Sequence, residues 1–377
     1  MARCLRPFAF ALLASCGRLV DDAGDAQPRD ASGDDRDVAD VADVTPSDAT
    51  PLDALSPTDA TIVDSSIDVV DATADAVIDA ADASDGGPTI ITLATSQNYL
   101  TDLAVDTSNV YWTAGKTVMS CASAGCGGQP TTLLSGLQNW TSRITTDGVN
   151  VYFIGDGIER CATNGCNNTP TQLADNGGYG IATDAVDVFW DDISHGTLKK
   201  CSVNGCNNIA TPVLVGAGVT EIVTDNTNVY WTSANAAELK SCPKTGCPNN
   251  TPTLVADYQS GTSTPEGLAT DGTYLYWTST GNGKVFKCAA VGCNNNPTVL
   301  ATQQIYLNGI ATDGTNVYWV EGGLGTGTVR KCAVGGCNGN PEIIASSQAN
   351  PDRIAVDATS VYWLNHNGLT VMKLTPK

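Results

Sequence analysis

The sequence predicts an all-β fold: a seven-bladed β-propeller of four-stranded blades over residues 89–377, closed by its N-terminal strand and preceded by a disordered acidic tether. Three observations predict it. One unit recurs seven times, as LAVDTSNVYW (103–112), ITTDGVNVYF (144–153), IATDAVDVFW (181–190), IVTDNTNVYW (222–231), LATDGTYLYW (268–277), IATDGTNVYW (310–319) and IAVDATSVYW (354–363). The spacing, about 37 to 46 residues, is that of propeller blades. A Cys-x4-Cys pair follows six of the seven units. The last unit stops one strand short, and a matching strand stands at the start of the repeats, GPTIITLA (87–94).

Each unit divides into four strands. In the sixth, IATD is the first, NVYW the second, GTVRKC the third and PEIIA the fourth. β-Branched and aromatic residues dominate these runs, and the DGTN-type segment after the first strand is a tight turn. Helical periodicity is absent, and Gly, Asn and Thr interrupt any helix. The segment 87–94 reads like the fourth strands NPTVLA (296–301) and NPEIIA (340–345). It is expected to complete the last blade, which closes the ring and protects the open edges.

The repeated positions read structurally. Asp106, Asp147, Asp184, Asp225, Asp271, Asp313 and Asp357 each precede a tight turn, where a carboxylate accepts backbone N–H groups two residues on. Trp112, Phe153, Trp190, Trp231, Trp277, Trp319 and Trp363 share one register of the second strand and are expected to fill the wedges between blades.

The units resemble the YWTD-type repeats of lipoprotein-receptor propellers, within the wider group that includes NHL and TolB-like propellers. LAVDTSNVYWTA (103–114), VYWTS (229–233) and LYWTS (275–279) carry the resemblance. It implies a propeller fold. Two departures stand out: Ala or Ser follows Y-W-T where the family has Asp, and the count is seven rather than six. Function does not carry over from fold.

The cysteine pairs are Cys121/Cys126, Cys161/Cys166, Cys201/Cys206, Cys242/Cys247, Cys288/Cys293 and Cys332/Cys337. Zinc takes four ligands, one pair offers two, and the next pair lies a blade away. The chain has two histidines, His195 and His366, and neither a redox C-x-x-C nor a haem-type C-x-x-C-H. In an exported chain six local disulfides are expected, each bracketing the turn between third and fourth strands. The glycine before each second cysteine allows a left-handed kink or bulge there. No metal and no other cofactor is expected.

The N-terminus reads as an address. Residues 1–15, MARCLRPFAFALLAS, run from arginines through an apolar stretch to small residues, the plan of an export signal. Leu13-Ala14-Ser15-Cys16 resembles the lipobox of bacterial lipoproteins, which implies cleavage before Cys16 and lipidation of that cysteine. By the same resemblance, Gly17 lacks the aspartate that retains some such proteins at the inner membrane, so an outer-membrane or surface location is expected. No stretch of eighteen apolar residues occurs, so membrane attachment is expected through the lipid.

Residues 16–88 are read as the lipidated cysteine and its linker. Between 21 and 88 stand nineteen Asp, no Glu, no Lys, and only Arg29 and Arg36, a net of -17. Arg3, Arg6 and Arg18 add +3, which leaves -7 of the total -21 for residues 89–377. Low hydrophobicity with one-signed charge predicts a solvated spacer. The repeats carry no nucleic-acid footprint.

The first–second and third–fourth turns are alike from unit to unit. The loops at the opposite end of the blades vary, and functional residues concentrate on such loops. Tyr99, Trp140 and Tyr306 each lie seven residues before the repeat aspartate, with Tyr179 close by. They are expected to form a broken aromatic rim at the channel mouth, suited to a sugar face or a peptide; plugging the loops against the hub is the competing role. Four residues before the aspartate stand Asp102, Arg143, Gly180, Glu221, Gly267, Gly309 and Arg353 in turn. Arg353, Asp102 and Arg143 fall on adjacent blades and make either a local salt-bridge network or a carboxylate- or phosphate-binding fork.

Asp191, Asp192 and His195 share a loop, where solvation is the expected state and metal contact the alternative. G-x-S-x-G, H-E-x-x-H and P-loop motifs are absent, so no catalytic residue is assigned. The expected function is a monomeric, envelope-anchored module that binds a protein or glycan. The alternatives are a structural or assembly component of an envelope complex, TolB-like in role, and a glycan-active enzyme.

Overall fold

A computed structural model describes residues 87–233, 238–257, 265–323 and 327–377. The expected signal segment, Cys16 and the linker up to residue 86 lie outside the described residues. Among the described residues, twenty-eight strands form seven antiparallel four-stranded sheets. Blade one runs from the inner strand Leu100–Val105 through Asn109–Ala114 and Thr117–Ala122 to the outer strand Thr131–Leu134. Blades two to six follow the same plan over 144–174, 181–215, 221–257, 265–301 and 307–348. Blade seven has Pro351–Val356, Val361–Asn365 and Thr370–Thr375, and takes Thr89–Ala94 as its outer strand. Thr89 pairs with Thr375 and Ile90 with Leu374, so the expected closure by the N-terminal strand is present.

The second strands do not alternate between buried and exposed. In blade one, Val110, Tyr111, Trp112 and Thr113 are all buried, because neighbouring blades cover both faces of the sheet. Tyr and Trp are consecutive and so point to opposite faces. Each wedge therefore receives one ring from either side. Tyr111 shares a core cluster with Phe153, Tyr152 with Trp190, Phe189 with Trp231, and Tyr230 with Trp277. Tyr276 joins Trp319, Tyr318 joins Trp363, and Tyr362 joins Trp112 across the closure. Truncating such a ring to Ala typically costs about 3–5 kcal/mol.

The repeat aspartates hold their turns as expected and anchor a tyrosine besides. Asp106 Oδ1 accepts the N–H groups of Ser108 and Asn109, both at 2.7 Å, and Oδ2 accepts the Tyr111 hydroxyl at 2.8 Å. The same Oδ2–hydroxyl bond joins Asp147 to Tyr152, Asp225 to Tyr230, Asp271 to Tyr276, Asp313 to Tyr318 and Asp357 to Tyr362. Blade three has Phe189 at this position, and Asp184 instead receives the Lys244 ammonium of blade four.

All six expected disulfides form, Cys121–Cys126, Cys161–Cys166, Cys201–Cys206, Cys242–Cys247, Cys288–Cys293 and Cys332–Cys337, with Cα atoms 5.0 to 5.6 Å apart. Each pair brackets the first turn of the connection between third and fourth strands, as expected, but does not span the whole connection. The first cysteines, Cys121, Cys161 and Cys201 among them, are buried on the third strand. The second ones, Cys126, Cys166 and Cys206, do not reach the fourth strand, which begins five residues later at Thr131, Thr171 and Thr211. They lie in the middle of the connection and are only partly buried, as are Cys247, Cys293 and Cys337. The physical reason is the backbone of the loop. The glycine before each second cysteine has φ between 102° and 119°, a backbone that a side chain would strain. It folds the loop back sideways onto the preceding blade.

Cys126, Cys166 and Cys206 accordingly pack on the core clusters that hold Leu93, Leu133 and Leu173, each on an outer strand one blade back. The sulfur of Cys126 lies 3.5 Å from Leu93 O, and that of Cys206 lies 3.7 Å from Leu173 O. The staples therefore brace the seams between blades as well as their own hairpins. Backbone adds to the docking, for Cys247 N–H donates to Val213 O at 3.0 Å. Asn250 then copies a strand partner, accepting Val215 N–H at 2.8 Å and donating to Val215 O at 2.9 Å. Asn168, Asn208 and Asn295 make related stitches to Ser135, Asp175 and Asp257. Six disulfides suit an oxidising, exported environment. Among the described residues no helix is long and apolar enough to cross a membrane.

Candidate functional site: the loop face and the central channel

The blade-to-blade loops meet the second–third turns at one end of the strands. Tyr99 O accepts the N–H of Gly115, in the second–third turn of the same blade, at 3.0 Å. The next loop is held to the same turn, where Thr141 gives both its N–H (2.8 Å) and its hydroxyl (2.9 Å) to Gly115 O. Farther along, the N–H groups of Gln138 and Asn139 bind the Asp156 carboxylate at 3.0 and 2.6 Å. Lys116 donates to Gln138 O. Both loops are thus fixed from beneath.

On this base the rings of Tyr99 and Trp140 meet edge to face, with centroids 4.3 Å apart and planes at 75°. They stay 61% and 53% exposed. Tyr179, on the following loop, is 50% exposed. Asp191 Oδ1 accepts the N–H groups of Tyr179 and Gly180, each at 2.7 Å. Tyr306, 47% exposed, lies over Gly323 of blade six, where an added Cβ would come within 2.5 Å of its ring. The structure therefore brings Tyr99 and Trp140 together, puts Tyr179 one loop further on, and leaves Tyr306 beyond blade seven. All four rings are exposed rather than sunk in the hub.

Three glutamines, Gln97 and Gln304 just after outer strands and Gln348 at the end of one, stand outside the expected site. Their Oε1 atoms accept the indole N–H of Trp112, Trp319 and Trp363 at 3.0, 3.2 and 2.9 Å. Their sequence signal is a Gln three residues after Ala and fifteen before the tryptophan, in ATSQ, ATQQ and ASSQ.

The charged register of the inner strands converges on the channel. Arg143 Nη2 lies 2.5 Å, and Arg353 Nη1 2.9 Å, from the same oxygen of Glu221. These residues belong to blades two, seven and four, none adjacent to another, so their side chains span the channel. Asp102 instead binds backbone, accepting Leu103 N–H at 3.0 Å and Ile144 N–H at 3.1 Å. The arginines' hydrogen-bonded carboxylate is thus Glu221, not the nearer-blade Asp102.

Gly180, Gly267 and Gly309 fill the same register where inner strands crowd. A Cβ there would lie 2.8 Å from Ile222, 2.9 Å from Asn308 O and 2.9 Å from Asp352 O. Burial pushes the Asp102 carboxyl up, and Arg353 and Arg143 only partly oppose it. Burial works against the Arg353 charge, but Glu221, Asp352 and Asp102 outweigh it and hold the guanidinium more firmly protonated than usual.

Asp191 and Asp192 end the strand Asp187–Asp192 and are buried, not solvated on a loop as expected, and with His195 they do not converge on one point. Asp191 faces the Tyr179 loop, and burial raises its carboxyl against those N–H bonds. Asp192 Oδ2 takes Lys199 Nζ at 2.6 Å and His195 Nδ1 at 2.8 Å. No group of three or more His, Cys, Asp or Glu suited to a metal occurs among the described residues.

No family model matches this chain, and no curated protein matches its sequence. Among solved structures it is similar to a streptogramin B lyase, with a TM-score of 0.61 and 14% identity over 77% of this chain and 98% of that one. It is similar also to virginiamycin B lyase from Staphylococcus aureus, with a TM-score of 0.60 and 15% identity over 77% and 99% of the two chains. A third is the computationally designed protein Ika8, with a TM-score of 0.52 and 13% identity over 77% and 100%. At such identities the likeness extends to the propeller fold and no further.

Proposed function

We propose that this chain is an exported binding module that holds a protein or glycan partner on its loop face, with Tyr99 and Trp140 as the anchor. The observation that carries the reading is the exposure of this aromatic pair on loops that are already hydrogen-bonded in place. Covering apolar surface contributes about 25 cal/mol per Å2, which a partner gains on docking. Because the rings are seated beforehand, little conformational entropy is lost on binding. In the same reading, residues 1–15 are removed, Cys16 carries the lipid, and residues 16–88 space a monomeric propeller from the outer membrane or cell surface.

The full-length protein, made in a lipidating bacterium, tests both parts. Envelope proteins and glycans are captured with wild type beside Trp140→Ala, and membrane association is compared with Cys16→Ser. Trp140→Ala is expected to lower capture about tenfold or more with unchanged melting, and Cys16→Ser to release the chain from membranes. Equal capture by Trp140→Ala would remove the proposed anchor. Membrane association that ignores Cys16 would remove the lipid.

A further inference from the structure

We infer that the Tyr99–Trp140 platform takes a neutral glycan, stacking one face of a pyranose ring and reading its hydroxyls through side-chain amides. The inference rests on the binding reading above and narrows it to one class of partner.

The two adjacent loops carry the same tripeptide pattern, Gln97-Asn98-Tyr99 and Gln138-Asn139-Trp140. Asn98, Gln138 and Asn139 are exposed together with the two rings. A carboxamide both donates and accepts hydrogen bonds, as a sugar hydroxyl does. Edge-to-face rings at 75° make a corner with a floor and a wall. A pyranose lays its C–H face on the floor and turns its hydroxyl edge toward the flanking amides.

Backbone hydrogen bonding disfavours a peptide. Docking as an added strand needs free main-chain partners. Here Gln97 N–H is given to Leu369 O, Gln138 and Asn139 N–H to Asp156, Thr141 N–H to Gly115 O, and Tyr99 O is taken by Gly115.

Charge disfavours an anionic sugar. Lys116 is drawn to Gln138 O, and Arg143 and Arg353 are both held by Glu221. Asp156 in turn accepts two backbone N–H groups and the Asn139 side chain. Both arginines are thus paired with a carboxylate, and the Asp156 carboxylate stands under the Trp140 loop, while the Asn98 and Gln138 side chains are exposed.

The test presents the full chain with an array of neutral oligosaccharides (cellopentaose, mannopentaose and chitopentaose among them), oligogalacturonate and a random-peptide library. Binding is measured by calorimetry and saturation-transfer NMR. The variants are Trp140→Ala, Gln138→Ala and Tyr99→Asn. The last keeps a residue type that tolerates left-handed backbone, since Tyr99 has φ 59° and Asn350, at the equivalent place before blade seven, has φ 58°. A neutral oligosaccharide is expected to bind, with saturation transferred to ring C–H protons. Trp140→Ala and Tyr99→Asn should weaken it tenfold or more, and Gln138→Ala severalfold, with unchanged far-UV circular dichroism and melting temperature.

Trp140-dependent binding of peptides or oligogalacturonate alone overturns the neutral-glycan inference but leaves the binding module standing. Absence of Trp140-dependent binding to all three classes overturns both.

Discussion

Arg353 of blade seven and Glu221 of blade four meet across the central channel, Nη1 to Oε1 at 2.9 Å, although they stand 132 positions apart in sequence. Arg143 of blade two shares that oxygen. Glu221→Ala leaves two guanidiniums facing each other without their carboxylate. Breaking a buried pair costs about 3–5 kcal/mol, and the partial exposure of these side chains reduces the expected loss to about 2–3 kcal/mol. Urea unfolding followed by tryptophan fluorescence checks it, since the tryptophans lie in the wedges between blades. A loss below about 0.5 kcal/mol, the range of an exposed pair, would mean that the cluster does not brace the ring.

Acid should weaken the turns. Burial alone would raise the repeat carboxyls, but in Asp147, Asp225 and Asp357 backbone N–H groups and the tyrosine hydroxyl outweigh it, and the net shift is downward. In Asp313 the Lys377 ammonium leads the opposition and brings the carboxyl to about 2. A lowered folded-state value stabilises fully above the unfolded value of about 4, and that stabilisation is lost as pH falls toward 2. Asp102, Asp191 and Glu159 are raised by burial, so their contribution runs the other way and declines as pH rises above about 4. Melting temperature is therefore expected to fall steeply between about pH 4 and 2. Asp313→Asn should flatten that fall; an unchanged slope would exclude this turn as a contributor.

Reduction should remove a staple from every blade but the seventh, whose outer strand loses only the packing of Cys126. Each disulfide joins cysteines at a sequence separation of 5, a loop whose closure contributes about 2 kcal/mol. Replacing both Cys332 and Cys337 by Ala is expected to lower stability by about that amount. Six such losses approach the whole stability of an ordinary domain, about 5–15 kcal/mol, so full reduction should unfold the propeller near physiological temperature. Thermal melts with and without reductant decide it.

The asparagine stitches predict a local effect. Asn250→Ala removes two bonds to Val215, worth about 1 kcal/mol each at most in this exposed setting. Amide exchange at Val215 should accelerate, while Ser135, held by Asn168, keeps its protection. Equal protection at Val215 in both proteins would show that solvent replaces the stitch without loss.

Much of this arrangement is legible in the repeat. NVYW and IATD define strands and register because a blade is built from residues close in sequence. The six pairings were legible for the same reason, both cysteines lying within one strand and the connection that follows it. Where the second cysteine rests was not. Cys126, Cys166 and Cys206 settle against a neighbouring blade, whose position the local sequence does not specify. The tyrosine hydroxyl on six of the seven aspartates was also hidden, although the two residues are five apart, because its geometry depends on the twist of the finished turn. The Gln97–Trp112 bond, fifteen residues long in sequence, depends on a loop path that no periodicity specifies.

By itself, the sequence determined the seven units, their strands and turns, the local disulfides and the strand that closes the ring. Each of these follows from short-range hydrophobic pattern, turn chemistry and matching of copies. Only the tertiary structure decided that Glu221 holds Arg143 and Arg353, and that Tyr99 stands against Trp140 while Tyr306 lies elsewhere. Those meetings depend on ring closure and on loops of unequal length, which bring together residues whose local sequences carry no information about one another.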